Sequence, residues 1–160
     1  MSKKLVAYFS ASGVTAGAAK TLAEAVGADL YEVKPQAPYT NADLNWNDPQ
    51  ARSTIEMKDP SSRPEIAGQD ADIAAYDVVF VGFPIWWYVA PTIINTFLES
   101  YDFSGKTIIP FATSGGSGFG KTMEKLQPSV SDTATWKEGK LLNGRQSRDT
   151  LAGWAQSLDL

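Results

Sequence analysis

The chain has 160 residues, of which 43% are hydrophobic and 20% are charged, and its formal net charge at pH 7 is −4. It contains neither cysteine nor histidine, which excludes disulfides, thiolate nucleophiles, iron–sulfur clusters, histidine-based triads and histidine-based zinc sites. We therefore predict no metal site, and we expect chemistry at neutral pH to come from a bound cofactor.

A chain of this length buries about 70% of its unfolded surface, and we predict a single domain over residues 1–160. The mildly acidic composition does not favour nucleic-acid binding, which needs a clustered basic surface. The apolar run after Lys4 is short and is interrupted at Ser10, so we predict no signal peptide. No run reaches the roughly 18 apolar residues of a transmembrane helix. We therefore expect a cytoplasmic protein without membrane or nucleic-acid partners.

The first part of the chain has the pattern of a strand, a helix and a second strand. KLVAYFS (4–10) is a continuous apolar run of strand length, which is typical of strands covered on both faces. Apolar residues from Ala19 to Val26 recur at i, i+3, i+4 and i+7, and Gly27 is placed to end that helix. LYEVK (30–34) is a shorter second strand.

A long connection, residues 35–69, follows the second strand and is rich in Pro, Asn, Asp, Ser and Arg. Only ARSTIEMK (51–58) suggests a helical turn or two. Connections of this length inside a compact domain are usually functional or mobile. Tyr39, Trp46 and Arg52 are its candidate substrate contacts, and the alternatives are loop packing for Trp46 and pairing with acids or solvent for Arg52.

The second half of the chain alternates strands and helices in the same way. DVVFVGF (77–83) and KTIIPFAT (106–113) are apolar strands. Apolar stripes predict a helix starting at Pro91 and a last helix capped by Ser147. Short helices are predicted within 70–76 and over 119–126, and a weaker signal predicts a fifth strand within 133–142. This alternation predicts an α/β doubly wound fold: a five-stranded parallel sheet with helices on both faces. Such sheets bind ligands beyond the carboxyl ends of their strands.

The loop after the first strand, SASGVT (10–15), offers three hydroxyls and a glycine at the start of a helix. The first turn of a helix carries unpaired N–H groups and partial positive charge, which together bind phosphate. Gly13 lets the backbone fold closely around an anion. The alternative is that Ser12 or Thr15 only caps the helix, but three hydroxyls in six residues favour a phosphate monoester site.

The loop after the third strand contains the consecutive aromatic residues Trp86, Trp87 and Tyr88 behind Pro84. One of them is expected to pack in the core. Three in a row at the ligand-binding edge indicate a planar aromatic ligand, because ring stacking adds about 0.5–1.5 kcal/mol beyond burial.

After the fourth strand, GGSGFGKT (115–122) fits the triphosphate-binding pattern G-x-x-x-x-G-K-[ST] at Gly115, Gly120, Lys121 and Thr122. The context does not fit. The loop follows the fourth strand, its helix is short, and the best apolar strands do not end in an aspartate that could support magnesium. We therefore interpret the match as accidental and Lys121 and Thr122 as ordinary helix residues.

Together, the hydroxyl-rich loop, the G-x-P-I-W-W stretch and the T-S-G-G loop closely resemble the flavodoxin-like FMN-binding proteins over essentially the whole chain. The long segment adds sequence stretches such as DLNWNDPQARS and DPSSRPEI, which resemble one subgroup of this family. The resemblance implies strand order 2-1-3-4-5 and FMN as the cofactor. It implies that the FMN phosphate is held by Ser10, Ser12, Gly13, Val14, Thr15 and Ala16. The isoalloxazine ring would be flanked by Pro84, Ile85, Trp86, Trp87 and Tyr88 on one side and bordered by Thr113, Ser114, Gly115, Gly116 and Ser117 on the other.

Two functions fit this resemblance. The first is an oxidoreductase that passes electrons or hydride from a nicotinamide donor, NAD(P)H, to a quinone-like or other small acceptor; the long segment motivates it. The second is an electron-transfer protein that serves a redox partner and has no small substrate of its own. A receiver-type signalling module is excluded, because Ser10 and Pro84 stand where that module needs acidic residues. The resemblance allows a monomer or a homodimer.

Overall fold

The computed structural model describes residues 3–11, 13–45, 47–59, 61–68, 71–86, 89–113, 119, 122–137, 139–143 and 147–158. Its strands are β1 Lys4–Tyr8, β2 Asp29–Glu32, β3 Val78–Pro84, β4 Thr107–Thr113, β5 Thr135–Trp136 and β6 Lys140–Leu141. Its α-helices are α1 Val14–Val26, α2 Arg52–Lys58, α3 Thr92–Glu99, α4 Thr122–Leu126 and α5 Arg148–Ser157, with 3-10 turns at Ile73–Ala75 and Gln127–Ser129.

The strands form one parallel sheet in the order β2-β1-β3-β4-β5, and β6 also pairs with β4. The predicted order 2-1-3-4-5 is therefore confirmed, with β5 and β6 as two parts of the fifth strand. Ile108 pairs with Trp136 and Phe111 with Lys140, so the fifth strand carries one extra residue between the two pairings. The interruption lies beside Pro110, which has no N–H to donate to a ladder.

The two faces of the sheet bury separate cores. Alternate side chains of β1 and β3, such as Leu5 and Val79, pack with α3, α4 and the long connection. Their sequence neighbours, such as Val6 and Phe80, pack with α1 and α5 on the opposite face. Both faces are therefore covered, which explains why these strands are continuous apolar runs.

Helix ends follow the sequence signals closely. Gly27 ends α1 in the left-handed conformation, with φ of 66°, and its N–H donates to the Ala23 carbonyl. The Ser147 side chain accepts a hydrogen bond from the Thr150 N–H at 3.1 Å and caps α5. Pro91 is the N-cap of α3. Because local backbone chemistry decides these ends, the sequence predicts them well.

The two ends of the long connection pair with each other, and residues in its second half are bound to α3. Pro35 and Ile66 form an antiparallel bridge between its two ends. Farther along, the Ser62 and Thr92 hydroxyls lie 2.8 Å apart, and the Arg63 guanidinium donates to both carboxylate oxygens of Glu99 at 2.9 and 3.2 Å. These contacts hold the connection against α3, and the predicted helical turn within it is α2. None of the helices in the described ranges has the length and apolar character that spanning a bilayer requires.

Candidate functional site

Hydrogen bonds join the carboxyl ends of β1, β3 and β4 into one edge. The Phe9 N–H donates to the Gly82 carbonyl at 2.9 Å, and the Ile85 N–H donates to the Thr113 carbonyl at 2.9 Å. The Thr15 and Thr113 hydroxyls lie 2.8 Å apart and are both buried. The three loops that the sequence singles out therefore start from a single, connected edge of the sheet.

The loop after β1 turns sharply at Gly13, the N-cap of α1, whose φ of 93° and ψ of −12° lie in the left-handed region that favours glycine. Its N–H donates to the Ser10 hydroxyl at 3.0 Å, so Ser10 shapes the loop and keeps its own hydrogen for another acceptor. Among the described residues, no side chain caps α1 at Gly13. The N–H groups of Val14, Thr15 and Ala16 have no acceptor within the helix, and the helical hydrogen bonds begin with the Gly17 N–H, which donates to the Gly13 carbonyl at 3.1 Å.

Thr15 lies inside α1 and is 2% exposed, so the alternative that it caps the helix is wrong. The Thr15–Thr113 hydrogen bond uses one of the two hydroxyl hydrogens and leaves the other free to donate. Val14 is 60% exposed, whereas Ala16 packs partly buried against the core shared by α1 and α5.

In the loop after β3, Trp86 is the described member of the three consecutive aromatic residues. Its backbone N–H and carbonyl pair with Val89 at 2.9 and 3.1 Å. Its half-buried side chain packs against the core on the α3 side of the sheet, as does Ile85. Pro84 is the last residue of β3 and pairs with Thr113. The expectation that one of the three aromatic residues packs inward is thus met by Trp86.

Phe9, Tyr39 and Trp86 form an aromatic triad beside this edge. The ring centroids are 5.5 Å apart for Phe9 and Tyr39, 5.7 Å for Phe9 and Trp86, and 5.5 Å for Tyr39 and Trp86. All three pairs are edge-to-face, a favourable arrangement for aromatic rings. The triad joins the long connection, through Tyr39, to the loop after β3.

Glu56 and Arg52 of α2 hold Tyr39 in place. The Tyr39 hydroxyl donates a hydrogen bond to Glu56, and burial together with this bond raises the pKa of Tyr39 well above its usual range. Arg52 donates to Glu56 at 3.0 Å and to the Ala37 carbonyl at 2.5 Å, and its guanidinium carbon lies 3.9 Å from the Tyr39 ring centroid. Arg52 is thus paired through Nε and Nη1 within the connection, in line with the pairing alternative, and it supports Tyr39.

The triphosphate pattern gains no support from Thr122. That residue begins the five-residue helix α4, is fully buried, and donates its hydroxyl to the Phe119 carbonyl. A threonine in a nucleotide-binding loop must instead ligate magnesium. Gly115, Gly120 and Lys121 lie outside the described residues. Among the described residues, no group of acidic side chains is placed to hold a metal ion.

The comparisons with known proteins agree with this architecture. The family model described as Flavodoxin matches residues 3–158. The chain belongs to the flavodoxin family. A candidate flavoprotein from Bacteroides eggerthii is 49% identical, with a TM-score of 0.93, over 100% of this chain and 99% of its own. Another, from Bacteroides uniformis, is 51% identical, with a TM-score of 0.89, over 97% of this chain and 98% of its own.

A more distant flavodoxin-like neighbour is a flavoprotein from Lactobacillus acidophilus solved in complex with FMN. It is 22% identical, with a TM-score of 0.71, over 97% of this chain and 99% of its own, a likeness that shows the fold alone. No curated protein matches the sequence significantly.

Several predicted site residues of this flavodoxin family member lie outside the described residues: Ser12, Trp46, Trp87, Tyr88, Ser114, Gly115, Gly116 and Ser117. Sequence reasoning missed two residues of the described site, Phe9 and Glu56. Phe9 is the end of the first apolar run, at the ligand edge. Glu56 follows Arg52 at i+4, a spacing that favours ion pairs on a helix, and this spacing is the signal that could have identified it.

Proposed function

We propose that this protein is an FMN-dependent oxidoreductase that passes electrons or hydride from a nicotinamide donor to a quinone-like or other small acceptor. The observation that carries the proposal is the joining of the carboxyl ends of β1, β3 and β4 into one edge, with a helix start at Gly13 that no described side chain caps. Membership of the flavodoxin family and the FMN-bound neighbour support FMN as the cofactor.

The described residues fit a phosphate monoester. Gly13 presents no side chain, the first turn of α1 supplies N–H groups and partial positive charge, and Ser10 keeps a hydroxyl hydrogen. Ser10, Gly13, Val14, Thr15 and Ala16 would hold the phosphate together with Ser12. No lysine is needed, since the helix start already favours an anion.

The ends of β3 and β4 are where we place a flat ring system. Pro84, Ile85 and Trp86 would flank the isoalloxazine together with Trp87 and Tyr88. Thr113 would border its other side together with Ser114, Gly115, Gly116 and Ser117. Bound FMN would supply the one- and two-electron chemistry, while the protein supplies orientation, exclusion of water and hydrogen-bond donors.

The donor and acceptor are tested by steady-state assays of the FMN-loaded protein with NADH or NADPH and a panel of quinones. Oxidation of either nicotinamide at a rate that depends on the quinone supports the enzyme proposal. Failure with every donor and acceptor pair refutes it, provided that FMN is shown to be bound.

The second candidate is an electron-transfer protein without a small substrate, which we further propose to act in the cytoplasm as a monomer or a homodimer. The mildly acidic net charge of −4 is compatible with it, because an acidic surface attracts a basic redox protein. Stepwise reduction that passes through a stable one-electron state supports this function. Direct two-electron reduction contradicts it.

A further inference from the structure

A side cavity of about 430 Å³ lies between the carboxyl ends of β1 and β2 and the long connection. Its apolar wall consists of Phe9, Ala11, Pro35, Pro38, Tyr39 and Ala67. The volume falls in the lower half of the roughly 300–1,000 Å³ that small-molecule sites occupy. The cavity is therefore large enough for a compound of a few rings and is lined mainly by carbon.

The aromatic part of this wall is fixed before any ligand arrives. The Arg52 guanidinium carbon lies 3.9 Å from the Tyr39 ring centroid, the ring packs edge-to-face with Phe9 and Trp86, and its hydroxyl is bound to Glu56. Tyr39 also lines the side cavity. A preformed aromatic surface favours a planar ligand, because little side-chain freedom is lost when the ligand stacks.

The polar groups at the side cavity argue against a charged ligand. Lys34 and Glu32 both line it, so the side chains of the lining carry no net charge. The Gln36 amide also lines it and can donate to an oxygen atom. The lining thus suits an uncharged compound that carries a hydroxyl or a carbonyl group.

The side cavity is adjacent to the loops after β1 and β3, where we place FMN. Of the described residues assigned to FMN, Ser10 is the one that also lines this cavity. Trp86, in the loop after β3, contacts both Phe9 and Tyr39 of the cavity wall. The rings of Phe9 and Tyr39 thus lie between a ligand in the side cavity and Trp86 of that loop.

We propose that the side cavity binds a small, uncharged, planar ring compound with a hydroxyl or carbonyl oxygen, and that this is the acceptor site of the protein. The acceptor role rests on the proposed function; the binding itself does not. Tyr39 is the stacking surface of the site, and Arg52 and Glu56 are positioning residues that act through it.

The test uses 2-naphthol and its saturated counterpart decahydro-2-naphthol, which share a hydroxyl and two fused rings. Both are titrated into the full-length protein, with and without FMN, by calorimetry. Because stacking adds to simple burial, we expect 2-naphthol to bind about three- to tenfold more tightly than the saturated compound. Equal affinities, or tighter binding of the saturated compound, would overturn the planar-ligand proposal.

Position is tested with the matched variants Ala67→Phe and Ala42→Phe. Ala67 and Ala42 are both exposed residues of the same connection, but Ala67 lines the side cavity and Ala42 does not. Filling the cavity with Ala67→Phe should weaken 2-naphthol binding at least about tenfold, and Ala42→Phe should leave it unchanged. Equal binding by both variants would place the ligand elsewhere and overturn the proposal.

A second readout needs no variant. Nuclear Overhauser contacts between 2-naphthol and the methyl groups of Ala11 and Ala67 in the unmodified protein support the site, and contacts confined to other methyl groups refute it. Displacement of FMN by 2-naphthol would show that the cavity belongs to the cofactor and would also overturn the proposal. Binding of 2-naphthol is measured without FMN as well. A failure of the protein to bind 2-naphthol can therefore be distinguished from a failure to bind FMN.

Discussion

The buried hydrogen bond between Thr15 and Thr113 offers the sharpest test of how the site is held together. It joins the first turn of α1 to the end of β4 at 2.8 Å, and the two residues are 2% and 4% exposed. Thr113→Val keeps the shape of the side chain and removes its hydroxyl, leaving Thr15 buried without this partner. Such an unpaired group costs about 1–3 kcal/mol.

We expect Thr113→Val and Thr15→Val each to lower the free energy of unfolding by about 1–3 kcal/mol. The double variant removes both hydroxyls, and its loss should be smaller than the sum of the single losses, with a coupling energy of about 0.5–3 kcal/mol. For a chain of this size each kcal/mol corresponds to about 2–4 °C in Tm.

Urea unfolding of the FMN-free protein measures these losses. Thr21→Val is the matched control, because Thr21 also lies in α1 but donates its hydroxyl to the Gly17 carbonyl of the same helix at a more exposed position. It should change stability by no more than about 0.5 kcal/mol. If the two single losses add within about 0.5 kcal/mol in the double variant, the hydrogen bond does not fasten α1 to β4.

Two further predictions concern the core and the Tyr39 cluster. A Cβ at Gly82 would lie 2.1 Å from the Phe111 ring, so Gly82→Ala should destabilise the protein by about 1–3 kcal/mol in urea unfolding. The control Gly17→Ala, in open space within α1, should stabilise by about 0.5–1 kcal/mol; equal effects of the two changes would refute the steric argument. Glu56→Gln removes the carboxylate that helps raise the pKa of Tyr39, so that pKa should fall while staying above its usual value, because burial remains. Alkaline absorbance titration should then detect tyrosine ionisation at lower pH than in the unmodified protein, and superimposable curves would contradict this.

Much of the fold follows from local sequence patterns. The apolar runs place β1, β3 and β4 to within one or two residues, and Gly27 and Ser147 end or begin helices as their backbone chemistry dictates. Alternation of strands and helices then requires a parallel sheet with both faces covered. These features depend on interactions between residues close in sequence or on simple burial.

The interruption of the fifth strand could not be predicted in this way. It reflects the meeting of Pro110 in β4 with Gly139, where a Cβ would lie 2.7 Å from the Pro110 carbonyl oxygen. The sequence around Pro110 does not indicate a contact with Gly139, and the sequence around Gly139 does not indicate a contact with Pro110. Pairing between distant segments decides this detail.

The loops of the candidate site were predictable from the sequence, whereas the residues that hold Tyr39 in place were less so. Hydroxyls and glycine after a buried strand indicate Ser10 and Gly13 directly. The roles of Glu56 and Arg52 depend on how the long connection folds back onto Tyr39, and its weak periodicity does not encode that path. Arg52 was a substrate candidate from its sequence position, whereas its contacts make it a support for Tyr39.

The central claim, that this flavodoxin family member binds FMN at the edge formed by β1, β3 and β4, is tested most directly by its absorption spectrum. FMN is titrated into the FMN-free protein, and absorbance and flavin fluorescence are followed. We predict saturable binding of one FMN per chain, with perturbed flavin bands and release of FMN on denaturation. A protein that leaves the spectrum and fluorescence of FMN unchanged at every concentration would contradict the account.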